Sequence, residues 1–247
     1  GHAAWLWLAF IGIVATLLAL DLGVLHRGDR EIGIRESLLL SGGYISAALL
    51  FGAWVWWYLG SASGMDYLTG FMIEKSLSMD NVFVIALIFT FFAIPRQYQH
   101  RVLFWGILGV IILRAIMIAL GATLVGQFSW VLYLFGAFLV YTGVKLLFAS
   151  GDSVDPARNP ILLLCQRFLP VTSEYHGAHF FARVAGKLVV TPLFLVLVVV
   201  EFTDVIFAVD SIPAIFAVTR DPFLVFTSNV FAILGLRSLY FALAGVL

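Results

Sequence analysis

The chain has 247 residues, of which 62% are hydrophobic and 11% charged, a composition far more apolar than that of a water-soluble domain. Its 14 Lys and Arg residues balance 14 Asp and Glu residues, so no basic field is available to hold nucleic acid. The single cysteine, Cys165, excludes an internal disulfide and a multi-cysteine metal site. These features exclude a soluble globule and predict an integral membrane protein.

Seven apolar stretches are long enough to cross the hydrocarbon core of a bilayer, which takes about 20 helical residues. We therefore predict an all-α membrane protein with seven transmembrane helices, forming a single polytopic domain over residues 1–247. The predicted helices are Ala3–Leu25, Leu38–Gly60, Phe71–Ile94, Val102–Val125, Phe128–Ala149, Leu188–Ser211 and Phe223–Leu247.

The two chain ends carry less information. Gly1-His2 resembles the scar of an expression tag, and the apolar run behind it lacks the positively charged start of a cleaved signal peptide. We expect this run to be a retained span. The last span ends at Leu247, which suggests that a native tail was trimmed.

Lys and Arg residues alternate between the predicted loops. Nine fall in the first, third and fifth loops, whereas Arg220 alone falls in the second, fourth and sixth. By the positive-inside rule, the amino terminus is expected outside and the carboxyl terminus in the cytoplasm. The long loop at about 150–187 is then cytoplasmic.

This loop contains three local signals. A short interfacial helix is expected from Asn159-Pro160 onward, and a small hairpin over 179–187 around Ala185-Gly186. A metal site at Glu174, His176 and His179 is conceivable, but a solvated loop is the favoured interpretation because nothing fixes their geometry.

An internal repeat relates the third and fourth predicted spans to the sixth and seventh at an offset of 123 residues. Asn81 aligns with Asp204 and Arg114 with Arg237, within similar apolar surroundings. Because an odd number of helix starts separates the two copies, they enter the membrane from opposite sides. Such an inverted repeat is typical of secondary transporters, whose substrate sites lie near the midplane.

Charged residues inside the predicted spans are expensive, since each costs roughly 2.5 to 3.5 kcal/mol at a helix centre. The acids are Glu74, Asp80, Glu201, Asp204 and Asp210, and the bases are Lys75, Arg114, Lys145 and Arg237. Lys145 lies near a helix end and is expected to snorkel. The others must be paired, protonated or bound to cations; buried ion pairs that merely hold helices together are the structural alternative.

Depth and helical period sort the polar groups. Mid-depth is expected for Asp80, Asn81, Glu201 and Asp204. Glu74 and Asp210 are expected in the outer third, where they would form either a second cluster or the mouth of a pathway. At 100° per residue, one face carries Glu74, Ser78 and Asn81, and another carries Glu201, Asp204 and Ser211. Asp80 and Asp210 point elsewhere on ideal helices, although Pro213 is expected to unwind the backbone near Asp210.

Carboxylate, amide and hydroxyl oxygens are hard ligands that suit Mg²⁺, Ca²⁺ or Mn²⁺. The expected metal ligands are Glu74, Asp80, Asn81, Glu201, Asp204 and Asp210, with Arg114 and Arg237 as counter-charges or gating residues. The five acids exceed the three nearby bases by two charges, which one divalent cation or two protons would neutralise. Asn229 and the pair Gly106 and Gly109 are expected to serve helix packing.

Two long motifs, Glu74–Phe83 and Glu201–Ala214, resemble those of the TerC family, including its Alx branch, which is grouped with a LysE-like transporter superfamily. The stretches Tyr175–Gly177 and Leu234–Arg237 extend the resemblance over essentially the whole chain. It implies seven membrane helices, a bacterial inner membrane location and export of Mn²⁺ from the cytoplasm. The acids of the two motifs would carry that activity. Tellurite is not expected as a direct substrate, because an oxyanion needs cationic donors.

These observations predict a secondary transporter that exports Mn²⁺, or another hard divalent cation, by alternating access, with protons as the coupling ion. No enzyme activity or cofactor is expected, since the sequence lacks the motifs of hydrolases and ATPases. The alternatives are a transporter of a cationic amino acid or of Na⁺ or H⁺, and a membrane interaction protein that transports nothing. The oligomeric state is left open.

Overall fold

The structure is a computed structural model that describes residues 4–20, 34–148, 163, 167, 169–171, 175–176 and 179–246. Within these ranges, only the backbone is considered at residues 96, 97, 100, 146, 237 and 244–246. The helices are α1 Ala4–Leu20, α2 Ile34–Leu59, α3 Ser61–Phe91, α4 Arg96–Gln127, α5 Val131–Phe148, α6 Pro192–Val218, α7 Pro222–Leu234 and α8 Leu236–Val246. The strands are β1 Phe181–Val184 and β2 Lys187–Val190.

Four helical stretches have the length and apolar composition needed to cross a membrane. They are Ile34–Leu59, Arg101–Gln127, Pro192–Val218 and Pro222–Leu243. Two further apolar helices, Ala4–Leu20 and Val131–Lys145, are shorter. The outward faces of the bundle carry large apolar side chains, as expected where lipid replaces water. The architecture is that of an α-helical integral membrane protein.

Helix α7 lies at the centre of the bundle and is buried along almost its whole length. It packs against α2, α3 and α4, while α6 contacts α3, α4 and α5. An apolar core formed mainly by α3, α4, α6 and α8 lies on one side, and an aromatic-rich core between α1, α2, α3 and α7 lies on another. The central polar groups are thus enclosed by helices on several sides.

Several expected boundaries are wrong, including the start of α4, which is Arg96 rather than Val102, and the end of α6, which is Val218 rather than Ser211. Helix α3 begins at Ser61, ten residues before the predicted Phe71, directly after Gly60, whose φ of 102° ends α2. Residues 188–190 belong to a strand, so α6 begins at Pro192. The last predicted span is two helices divided at Gly235.

The expected unwinding at Pro213 is also wrong. Helix α6 continues through Pro213 to Val218, so the missing N–H group of proline is tolerated without a break. The expected hairpin is confirmed, since β1 and β2 pair in antiparallel register. Ala185 and Gly186 both have positive φ, as a tight two-residue turn requires. The expected interfacial helix lies largely outside the described residues.

Candidate cation-binding site

Arg114 lies at the centre of the bundle on α4, and only 1% of its surface is exposed. Its Nη1 donates to Glu74 Oε1 at 2.6 Å, and its Nη2 donates to Asp204 Oδ1 at 2.8 Å. A third bond joins Arg114 Nε to Asp204 Oδ2 at 3.2 Å. The guanidinium therefore bridges α3 and α6, with a two-point contact to Asp204.

Three neutral side chains complete the contacts around this ion pair. Arg114 Nη1 also donates to Asn229 Oδ1 on α7 at 2.5 Å and to Ser211 Oγ on α6 at 3.3 Å. Asn81 Nδ2 on α3 donates to Asp204 Oδ1 at 3.4 Å. All three neutral side chains are buried. We call the six residues the Arg114 cluster: Glu74, Asn81, Arg114, Asp204, Ser211 and Asn229.

Helical spacing explains how the chain brings these groups inward. Glu74, Ser78 and Asn81 recur on one face of α3, and all three are buried. Asp204 and Ser211 are seven residues apart on α6 and are also buried. The predicted inward faces of α3 and α6 are therefore confirmed for these residues.

The cluster carries one net negative charge when its three ionisable groups are charged. Within the described residues, Glu74 Oε2 is a buried acceptor without a hydrogen-bond partner. Buried charges in a low-dielectric interior require close partners of opposite sign. These oxygens therefore surround a positive charge, as the ligands of a cation do, and in this structure the charge is that of the Arg114 guanidinium.

Glu201 lies outside the cluster, between α6 and α4. A Cβ atom added to Gly109 would lie 2.3 Å from Glu201 Oε1, so glycine is required for this close approach. Glu201 is half-buried and borders a cleft of about 500 Å³ whose other walls are mostly apolar. Gly106 also approaches Val200 on α6, and this confirms the expected packing role of the two glycines.

Two other predicted metal ligands also lie apart from the cluster. The side chain of Asp80 is exposed, on the surface of α3 that is not covered by other helices. Asp210 Oδ1 accepts a hydrogen bond from Thr142 Oγ1 on α5 at 3.4 Å. The expected grouping of Glu74 with Asp210 at an outer mouth is wrong, because Glu74 joins Asp204 at Arg114. Within the described residues, no three His, Cys, Asp or Glu side chains are grouped as metal ligands.

Asn229 is the member of the cluster whose role the sequence analysis missed. It was expected to serve helix packing, yet its amide oxygen accepts from Arg114. An uncharged amide in an apolar helix is compatible with either role, so only its contact distinguishes them. The side chain of Arg237, predicted as a second counter-charge, lies outside the described residues, as does Glu174.

Comparison with known proteins gives consistent matches. The profile described as "Integral membrane protein TerC family" matches residues 59–247. A membrane protein of Myxococcus xanthus is 51% identical over 240 residues, which cover 97% of this chain and 75% of that protein. The Escherichia coli protein named "Putative membrane-bound redox modulator Alx" is 48% identical over 250 residues, covering 98% of this chain and 78% of that protein.

A membrane protein of Rickettsia bellii is 47% identical over 240 residues, which cover 97% of this chain and 80% of that protein. No solved structure gives a significant match. The family profile spans both acidic motifs and all of the Arg114 cluster, and the relatives align over nearly the whole chain. The chain is therefore an integral membrane protein that belongs to the TerC family.

Proposed function

We propose that this protein is a secondary transporter that exports a divalent metal cation, with Mn²⁺ as the expected ion, from the cytoplasm by alternating access. The supporting observation is the Arg114 cluster, in which carboxylate, amide and hydroxyl oxygens from three helices surround a buried cationic group. Hard divalent cations take the same oxygen ligands.

The guanidinium defines how the site would alternate between two states. In the state described here, Arg114 neutralises one of the two negative charges of Glu74 and Asp204. A divalent cation would compete for the same oxygens, because two positive charges interact more strongly with them than one. Binding then releases Arg114, and its departure is the change that would couple ion binding to movement of α4.

The proposal includes the seven spans, the inverted repeat and an amino terminus outside the inner membrane of a bacterium. The contact between Asn81 and Asp204, which are 123 residues apart, joins the two positions that the repeat aligns. The second helix differs between the two copies of the repeat: α4 is continuous, whereas the corresponding span, formed by α7 and α8, is divided at Gly235. Helix divisions near a substrate site are common in transporters of this kind.

We also propose that protons are exchanged for the metal cation and that the chain is not an enzyme. Carboxylates that lose a divalent cation can take up protons in its place, which supports an antiport. The Escherichia coli relative is named a redox modulator. The Arg114 cluster contains no redox-active side chain, so we place metal transport before a direct redox role.

The test is uptake of Mn²⁺, Ca²⁺, Na⁺ and lysine into proteoliposomes that contain the purified full chain, with and without an imposed pH gradient. Saturable Mn²⁺ flux that responds to the gradient is expected. Asp204→Asn should abolish the flux, while Asp66→Asn, an acid on α3 outside the cluster, should retain it. Flux of lysine or Na⁺ alone would favour the alternative substrates, and the absence of any flux would refute transport.

A further inference from the structure

Lys75 follows Glu74 on α3 but points away from the Arg114 cluster. The ion pairs of that cluster, which join Arg114 to two acids, do not include it. The ammonium nitrogen of Lys75 instead lies 3.5 Å from the carbonyl oxygen of Ala232 on α7. The side chain is half-buried. A lysine within the membrane bundle thus uses a peptide oxygen as its partner.

This partner lies at the point where the last span is divided. Helix α7 ends at Leu234 and α8 begins at Leu236. At the division, the Gly235 N–H bonds to the carbonyl of Ile233, and the Leu239 N–H bonds to the carbonyl of Gly235. Neither of these bonds uses the Ala232 carbonyl, which accepts from Lys75.

The electrostatics of the division favour a cation. The carboxyl end of a helix carries a partial negative charge, because its last carbonyl dipoles point outward without helical donors. Divided membrane helices use such carbonyl ends to coordinate small cations. The end of α7 provides this environment inside the bundle, and the Lys75 ammonium occupies it.

Groups from several helices lie close to the ammonium group. A Cβ atom added to Gly235 would lie 3.1 Å from Lys75 Nζ and 3.4 Å from Tyr44 Cβ. On α8, Ser238 Oγ donates to the Gly235 carbonyl and accepts from Ser41 Oγ on α2. The division is therefore enclosed by α2, α3 and α8.

We propose that the division at Gly235 is a binding site for a small monovalent cation, and that Lys75 fills it permanently with its own ammonium group. This site is separate from the Arg114 cluster, where the divalent cation is proposed to bind. A tethered ammonium cannot dissociate, so external Na⁺ or K⁺ has no place at this helix end. One consequence rests on the proposed function: Mn²⁺ transport should not require Na⁺ or K⁺.

The test compares two variants of the purified full chain that remove the charge but differ in volume. Lys75→Ala opens the space of the side chain, whereas Lys75→Met fills most of it. Lys145→Ala, on the exposed part of α5, controls for loss of a lysine elsewhere. Melting temperatures are measured in LiCl, NaCl, KCl and methylammonium chloride, each against the chloride of the bulky N-methylglucamine at equal ionic strength.

We expect at least one small cation to raise the melting temperature of Lys75→Ala saturably, by about 4 °C at ten times its dissociation constant. The melting temperatures of the wild type, Lys75→Met and Lys145→Ala should not depend on the salt; each protein should melt at its own constant temperature in all of them. Lys75→Ala that melts alike in all salts would refute the site. Specific stabilisation of the wild type by Na⁺ or K⁺ would also refute it, because the lysine would then not fill the space.

A folding failure is informative as well. If Lys75→Ala is monodisperse on size exclusion only in small cations or methylammonium, the proposal is supported. If it aggregates in every salt while Lys75→Met does not, the proposal is wrong. These readouts require no transport, so they remain decisive if the Mn²⁺ flux assay fails. Na⁺-dependent Mn²⁺ flux in the wild type would contradict only the expectation that Mn²⁺ transport does not require Na⁺ or K⁺.

Discussion

Replacing Arg114 by Gln provides the most direct test of the cluster. The change removes the positive charge shared by Glu74 and Asp204, whose oxygens lie 2.6 and 2.8 Å from the guanidinium nitrogens. Loss of one partner of a buried ion pair typically costs about 3 to 5 kcal/mol. Because Gln can still donate one hydrogen bond, we expect a cost near 3 kcal/mol. For a chain of this length that corresponds to a melting temperature lower by about 6 to 12 °C.

A divalent cation should reverse this loss. With Arg114 absent, the two carboxylates face no competing charge, and we expect the Mn²⁺ dissociation constant of Arg114→Gln to be at least about tenfold lower than that of the wild type. Mn²⁺ at 100 times that constant would contribute about 2.7 kcal/mol, which restores most of the melting temperature. Transport should nevertheless fall, since the counter-charge of the metal-free state is missing.

The measurement is thermal melting of the detergent-solubilised chain over a Mn²⁺ titration, with flux in proteoliposomes measured in parallel. Lys145→Gln, on the exposed part of α5, is the matched loss of a positive charge and should resemble the wild type. If Mn²⁺ affinity collapses in Arg114→Gln while turnover per bound ion is normal, the counter-charge role is wrong. Equal stabilisation of variant and wild type would show that Arg114 does not compete with the cation.

Three further substitutions separate the cluster from its surroundings. Asp204→Asn should weaken Mn²⁺ binding at least about 100-fold in titrations, because one charge is lost in a low-dielectric site. Its free energy of unfolding should change by less than about 1 kcal/mol, since Glu74 still balances Arg114. Asp80→Asn, at an exposed position, should change that affinity less than about tenfold; a larger loss would place Asp80 in the site. Gly109→Val should displace Glu201, whose Oε1 would lie 2.3 Å from the new Cβ. If its flux is unchanged, the position of Glu201 does not matter to transport.

Helical period predicted the inward polar faces well. The spacing of Glu74, Ser78 and Asn81 fixes a common face whatever the neighbouring helices are, and the structure buries all three. The same period indicated that Asp80 points elsewhere, and Asp80 is exposed. The mid-depth argument that still assigned Asp80 to the central site ignored direction, which matters more than depth for a side chain on a helix.

Contacts between helices were not predictable from one sequence. Which acids Arg114 binds depends on how α3, α4 and α6 pack, and depth alone wrongly grouped Glu74 with Asp210. The division at Gly235 was missed because an isolated glycine is common in membrane helices and carries no signal of its own. The early start of α3 was missed because hydropathy, which Asp66 and neighbouring glycines lower, is a poor measure of helix length.

The spacing of the cluster along the chain also bears on how the protein is made. Glu74 and Arg114 are 40 residues apart, so both are made before α6 and α7, and their side chains can pair while the ribosome is still at work. Asp204 and Asn229 follow 90 and 115 residues after Arg114, and they reach the membrane only later. The early pair shields both charges from lipid during this interval. Insertion of the amino-terminal half therefore does not have to wait for the carboxyl-terminal half, which completes the site when it arrives.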